Sequence, residues 1–105
     1  MLITNTETIA DRKIVQTLGL VRGSSIRAKH IGSDIVSGLR QLVGGEMKEY
    51  GKMVNEARNL AIEAMLEEAR MLGADAVVNV RFSTSSIMQG AAEVLVFGTA
   101  VKTSQ

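Results

Sequence analysis

The sequence predicts an α+β subunit in which two consecutive helices pack on a small antiparallel sheet. Segments rich in β-branched residues stand near both ends of the chain, and two segments with helical periodicity lie between them. The resulting order, β-α-α-β-β, is that of a two-layer unit and not of a parallel sheet, whose strands would alternate with helices one by one. With 105 residues the chain is predicted to form one domain, residues 1–105.

The first main strand is predicted over residues 13–27, KIVQTLGLVRGSSIR, which are rich in β-branched and aliphatic side chains. Gly19 and Gly23 mark places where so long a strand can bulge or bend. The short apolar run at residues 2–4 predicts an additional edge strand before it.

A short amphipathic helix is predicted next, within HIGSDIVSGLRQLVGG. Ser33 is the expected N-cap, and Gly44 with Gly45 supplies the backbone freedom that ends the helix. The apolar residues between them recur at helical spacing: Ile35, Val36, Leu39, Leu42 and Val43.

A long second helix is predicted from Glu46 to Leu72, ended by Gly73 at the C′ position. Its apolar band is broader than the single stripe that one sheet requires. The residues that widen the band are Ile62, Leu66 and Ala69. We therefore expect this helix to contact a second partner besides its own sheet.

Two strands are predicted after the helix. In the first, residues 76–83, period-two alternation places Ala76, Val78, Val80 and Phe82 on one face. The polar segment STSSIMQG is interpreted as a loop leading to the last strand, residues 91–103, which is apolar on both faces. Such a strand is expected to be central in the sheet, or covered on its outer face by another subunit.

Composition excludes several functional classes. Twelve Lys and Arg against eleven Asp and Glu give a net charge of +1, which provides no field for capturing nucleic acid or an anionic membrane. The absence of cysteine rules out disulfides and thiolate metal sites, and no apolar run approaches the ~20 residues of a membrane helix. Since the first residues also lack a signal-peptide pattern, we expect a cytoplasmic protein.

The inventory of reactive side chains predicts neither a metal site nor an enzyme. A soft heavy metal needs thiolates, thioethers or imidazoles that converge, but His30 stands alone beside Lys29. The spacing of Glu46, Glu49, Glu56 and Glu63 is typical of a solvated helix face. No nucleophile motif accompanies His30, so neither catalytic residues nor a cofactor are predicted.

One polar set keeps two interpretations open. It comprises Glu46, Tyr50, Arg58, Asn79 and Arg81. In the first interpretation these residues serve a helix cap and salt bridges within or between subunits. In the second they form a ligand pocket where strand and helix ends meet a subunit boundary.

Four segments together resemble the YbjQ-like family, whose members are described as heavy-metal-binding. They are GGEMKEY at residues 44–50, EAR at 56–58, LGADAVVNVRF at 72–82 and GTAV at 98–101. The resemblance covers nearly the whole chain. It implies a dodecin-like subunit assembled into a ring-like homo-oligomer, a pentamer, and it implies no established activity.

Two functional hypotheses follow. In the first, the chain is a homo-oligomeric structural or binding module without catalysis of its own; a monomer would expose an apolar patch larger than monomers usually tolerate. In the second, the oligomer binds a small ligand such as a flavin or nucleotide between subunits, or the metal that the family label suggests.

Overall fold

The computed structural model describes residues 1–28, 45–88 and 90–104, without the side chains of residues 28, 45–50, 87 and 88. The elements follow in the order β1 (Leu2–Ile3), β2 (Lys13–Ala28), α1 (Gly45–Met71), β3 (Ala76–Met88) and β4 (Ala91–Ser104). The predicted α+β class is confirmed. The helix predicted after Ser33 lies outside the described residues.

The strands form one mixed sheet in the order β1-β3-β4-β2. Strand β4 pairs antiparallel with both β2 and β3, so its predicted central position is confirmed. Strand β1 pairs parallel with β3 and adds a fourth strand at that edge. Helix α1 packs on one face of this sheet, and the main hydrophobic core lies between the helix and the sheet.

The polar segment after Phe82 is a strand, and its interpretation as a loop was wrong. Strand β3 continues to Met88 and stays paired with β4, with Ser83 opposite Leu95 and Thr84 opposite Val94. Serine, which makes up most of this segment up to Ser86, has modest strand propensity of its own, but pairing with a central apolar strand overrides local composition.

Helix α1 confirms the predicted long helix, and Gly73 follows it with a φ of 77° as expected of a C′ glycine. Its buried residues recur every fourth position: Met53, Ala57, Ala61, Met65 and Ala69. Ala69 thus belongs to the core stripe, whereas the apolar side chains of Leu60 and Leu72 are exposed. Within the described residues no helix is long and apolar enough to cross a membrane.

A β-bulge at Asn79 changes which residues of β3 face the helix. Asn79 has a φ of 54°, and the register with β4 shifts between Val78 and Arg81. Before the bulge Val77 faces the helix and Val78 the outer side; after it Val80 belongs to the helix-side core. The predicted common face of Ala76, Val78, Val80 and Phe82 was therefore wrong, because a bulge inserts one residue into the alternation.

A smaller apolar cluster covers one end of the outer side of the sheet. It consists of Ala76, Val78 and Val101, with Ile9 and Ile14 packed against it. The segment between β1 and β2 thus closes the outer side at the end of the sheet where β3 begins.

We expect Gly23→Ala to lower the free energy of unfolding by about 1–3 kcal/mol, because the new methyl group would overlap the backbone carbonyl oxygen of Ala61 in α1. Gly51→Ala is the matched control: no described residue lies within 4 Å of its added methyl group. In the middle of a helix that change should raise stability by about 0.5–1 kcal/mol. Urea denaturation at one fixed protein concentration measures both. Equal effects of the two substitutions would contradict the close helix-strand contact.

Candidate functional site

The segment after β1 is held against the bulge of β3 by three backbone hydrogen bonds. The amide of Thr4 donates to the carbonyl of Val77 at 3.0 Å, and the amide of Val80 donates to the carbonyl of Thr4 at 3.0 Å. The amide of Asn79 donates to the carbonyl of Thr6 at 2.9 Å. The left-handed backbone at Asn79 turns its amide toward this segment, and the bulge therefore serves as the docking point for residues 4–6.

The side chain of Arg81 adds a further link to the same segment. Its Nη1 donates to the carbonyl of Asn5 at 2.8 Å and to the carbonyl of Val80 at 3.1 Å. Hydrogen bonds from a charged donor are stronger than neutral ones. The guanidinium group is thereby fixed at the edge of β3 while the residue stays exposed.

A cavity of about 470 Å³ lies at this junction. Its lining residues are Ile3, Thr4, Asn5, Val80, Arg81 and Phe82. Phe82 presents a 46% exposed aromatic side chain, and Arg81 contributes the only charged side chain of the lining. An exposed aromatic side chain and a fixed guanidinium in the lining of one cavity suit a flat or apolar group that carries a negative charge.

The structure brings together two of the five residues of the predicted polar set. Asn79 and Arg81 both bind the segment of residues 5–6. Arg58 lies on α1, where its Nη2 donates to Oδ1 of Asn55 at 2.8 Å, an interaction within the helix. Glu46 and Tyr50 are in the first turns of α1, and their side chains lie outside the described part of the chain.

Sequence reasoning missed most of the cavity lining. Ile3, Thr4 and Asn5 enter because β1 pairs with β3, which is 73 or more residues away along the chain. Phe82 shares a face with Val80 as predicted, but not with Ala76 and Val78, because the bulge was not predicted. An isolated exposed arginine within an apolar strand was the one available signal, and it did identify Arg81.

A second, more polar cavity of about 490 Å³ lies beside β2. Its lining includes Arg22, Gly23, Ala64 and Glu68, so it spans the strand and the neighbouring flank of α1. Oε1 of Glu68 accepts a hydrogen bond from the backbone amide of Arg22 at 3.3 Å. This contact shows that the flank of α1 with Ala64 and Glu68 lies on the β2 side of the sheet.

The described residues do not fit a heavy-metal site. Within them, no three His, Asp or Glu side chains lie close enough together to hold an ion. The chain has no cysteine, and the thioethers of Met53 and Met65 are buried in the core between helix and sheet. Soft metals need converging soft ligands, which these side chains do not provide. His30 lies outside the described residues.

The chain is similar over almost its full length to proteins that carry no functional name. The model of the YbjQ-like family, described as "Putative heavy-metal-binding", matches residues 1–104. A UPF0145 protein of Methanosarcina acetivorans is 62% identical over 102 residues, covering 97% of this chain and 96% of that protein. A UPF0145 protein of Thermus thermophilus is 54% identical, covering 97% and 90%.

A solved structure shares the fold. It is a protein of unknown function from Pediococcus pentosaceus assigned to the DUF74 family, with a TM-score of 0.64. The likeness covers 99% of this chain and 98% of that one, at 17% sequence identity.

We expect Arg81→Ala to loosen the segment of residues 4–6 by about 1–2 kcal/mol, since it removes a charge-assisted hydrogen bond to the carbonyl of Asn5. Amide hydrogen exchange at Asn79 and Val80, whose donors bind this segment, should become faster. Arg70→Ala is the control, because the contact that the structure describes for the Arg70 side chain is an exposed ion pair with Glu67. This substitution should leave those amides unchanged. Unchanged exchange in the Arg81 variant would contradict the anchoring role.

Proposed function

The chain belongs to the YbjQ-like family, and on that premise we propose that it is a homo-oligomeric module, a pentamer, with a structural or binding role and no catalysis of its own. The number of subunits comes from the family resemblance. The association itself is supported by the surface of the subunit.

The observation that carries the proposal is the apolar surface that the sheet leaves exposed. On β2, Leu20 is 66% exposed and Ile26 is 60% exposed, while Phe82 is exposed on β3. On β4, Leu95 and Phe97 are half-buried on the outer side of the sheet. Scattered apolar residues are normal on a surface, but a continuous apolar region is typical of an interface.

The character of the two cavities supports a binding role over a catalytic one. Their charged residues Arg22, Glu68 and Arg81 are exposed, and Glu93 is half-buried. Catalytic acids and bases are usually tuned by burial beside a specific charge partner. Exposed guanidinium and carboxylate groups instead suit recognition of a partner surface. We place the protein in the cytoplasm, because a chain without cysteine suits a reducing compartment.

A second candidate function is the binding of a small ligand, and the cavity beside β1 favours it. A volume of about 470 Å³ falls within the range of small-molecule sites. Phe82 could stack on the ring of a flavin or nucleotide while the guanidinium of Arg81 binds its negative charge.

We expect the purified protein to have several times the subunit mass of 11.3 kDa at micromolar concentration, and five times that mass if the family resemblance holds for the subunit count. Apolar margins that are exposed in one subunit are buried by association. Light scattering after gel filtration measures the mass. A stable monomer would refute the oligomeric proposal, whereas another multiple would correct only the number five.

We expect the particle mass and melting temperature to stay unchanged after treatment with a chelator, because the described residues offer no heavy-metal site. A thermal-shift screen with zinc, copper, flavins and nucleotides extends the measurement. A ligand at 100 times its Kd should add about 2.7 kcal/mol of stability. A flavin or nucleotide shift that Arg81→Ala abolishes would establish the second candidate, and a zinc or copper shift would overturn our rejection of a metal site.

A further inference from the structure

We infer that the subunits associate side by side, with the free edge of β3 in one copy paired to the free edge of β2 in the next. This inference rests on the oligomer proposed above and identifies its two contact surfaces. We call them the β3 margin and the β2 margin. The β3 margin is the strand edge at residues 82–85 with Val54, Arg58, Ile62 and Leu66 of α1. The β2 margin is the strand edge at residues 23–28 with Glu56, Leu60, Ala64 and Glu68 of α1.

The edge of β3 is covered over only part of its length. Strand β1 and the residues after it bond to β3 as far as the amide of Val80, which donates to Thr4. Beyond that point the alternation of a strand turns the backbone groups of Phe82 and Thr84 to the same side. In the described part of the chain, the sheet has no further strand on that side.

Among the described residues, β2 is the last strand of the sheet order, so no further strand pairs with its outer edge. The hydrogen bond from the amide of Arg22 to Glu68 shows which backbone groups point away from β4. By alternation, those of Ser24 and Ile26 point the same way. Glu68 therefore occupies one position of this edge, and the stretch beyond it offers donors and acceptors to another strand.

The two free stretches lie at the same level on opposite margins of the sheet. Phe82 is opposite Val96 of β4, which is itself opposite Gly23 of β2. Both β2 and β3 run antiparallel to β4 and hence in the same direction. A rotation about an axis parallel to the strands therefore brings the β3 stretch of one copy beside the β2 stretch of the next, with the two strands parallel. This rotation needs no translation along the strands, which favours a closed ring over a filament.

Neither stretch carries the features that protect natural strand edges. Edges that must stay unpaired usually contain proline or lysine. The chain has no proline, residues 82–85 are uncharged, and residues 23–28 contain a single charge at Arg27. These edges are therefore suited to pairing.

The helix side of the two margins is complementary in shape. Phe82 is opposite the core residue Val96 and so lies on the helix side of the sheet. At this level each subunit contributes three strands, each ~4.8 Å from the next, so the helices of neighbouring subunits would lie ~14 Å apart. Helices in direct contact lie about 8–10 Å apart. The exposed ring of Phe82 would occupy that gap and pack against Leu60 and Ala64 of the next copy.

The two flanks of α1 are also complementary in charge. The buried stripe of α1 faces the sheet, and the residue after each buried one lies on the flank opposite to Glu68. Arg58 is on that flank, whereas Glu56 and Glu68 are on the β2 side, next to one lysine at position 52. Side-by-side association would bring Arg58 of one copy toward Glu56 of the next at the same level of the helix.

Two substitutions, one on each margin, test the arrangement. Phe82→Asp places a charge in the β3 margin, and Leu60→Asp places one in the β2 margin, so that each substitution blocks association through that margin. Both residues are exposed in the subunit, at 46% and 44%. Each variant alone should sediment as a monomer. An equal mixture should form a dimer and nothing larger, because each variant retains one intact margin and only one productive contact remains.

Met71→Asp is the matched control, since Met71 is 81% exposed and lies on the flank of α1 that points away from the sheet. It should keep the wild-type mass. A monomeric wild type would overturn the proposed oligomer. An oligomeric wild type whose mass survives both margin substitutions, or margin variants whose mixture stays monomeric, would overturn only the side-by-side arrangement.

A cysteine pair gives a second measurement that does not require dissociated subunits to stay folded. The chain has no native cysteine, so Ala64→Cys with Phe82→Cys introduces two thiols on opposite margins. Oxidation should produce a ladder of cross-linked subunits on a denaturing gel, ending at the number in the ring, because facing thiols can bridge when their Cα atoms lie within ~7 Å. Each single variant should give no ladder, and a double variant without one would refute the pairing.

Discussion

The close approach of α1 to β2 at Gly23 determines the layout of the subunit. A side chain at this position would overlap the backbone of the helix, and the facing residues Ala61 and Ala64 are themselves small. The helix therefore settles over β2 and the centre of the sheet instead of over β3. This displacement leaves the helix side of Phe82 uncovered, and it places one flank of α1 directly at the β2 edge.

The second determinant is the left-handed residue Asn79. Its positive φ inserts a bulge into β3 and reverses the faces of the residues that follow, so that Val80 and Phe82 turn to the helix side. Asparagine tolerates this conformation better than β-branched residues do. The same bulge binds the segment of residues 4–6, which covers the edge of β3 only as far as Val80. The cavity at Arg81 lies where this cover ends, and the free edge lies beyond it.

Local periodicity predicted the elements whose signal is contained in their own sequence. The long helix, the strand after Lys13 and the central apolar strand were confirmed, because each repeats its pattern over a dozen or more residues. The bulge at Asn79 was not predictable from alternation, since one inserted residue leaves the composition unchanged. The strand over residues 83–88 is polar and depends on pairing with β4.

The candidate site was predictable only in part, for a similar reason. Arg81 stood out as a charge in an apolar strand, but its partner Asn5 lies 76 residues earlier in the chain. Contacts of that separation depend on sheet order, which one sequence does not specify. The roles expected for Glu46 and Tyr50 remain predictions, because their side chains are outside the described residues.

The structural proposal and the ligand alternative are physically linked through Phe82. This residue lines the cavity beside Arg81 and also stands at the start of the free β3 edge. In a side-by-side oligomer the neighbouring copy would cover the open side of that cavity. A ligand bound there would be better shielded from water than in a lone subunit and would hence favour association, since a ligand stabilises the state that binds it more tightly. Assembly would then complete the binding site. The oligomeric hypothesis and the ligand hypothesis would both depend on the same surface around Phe82.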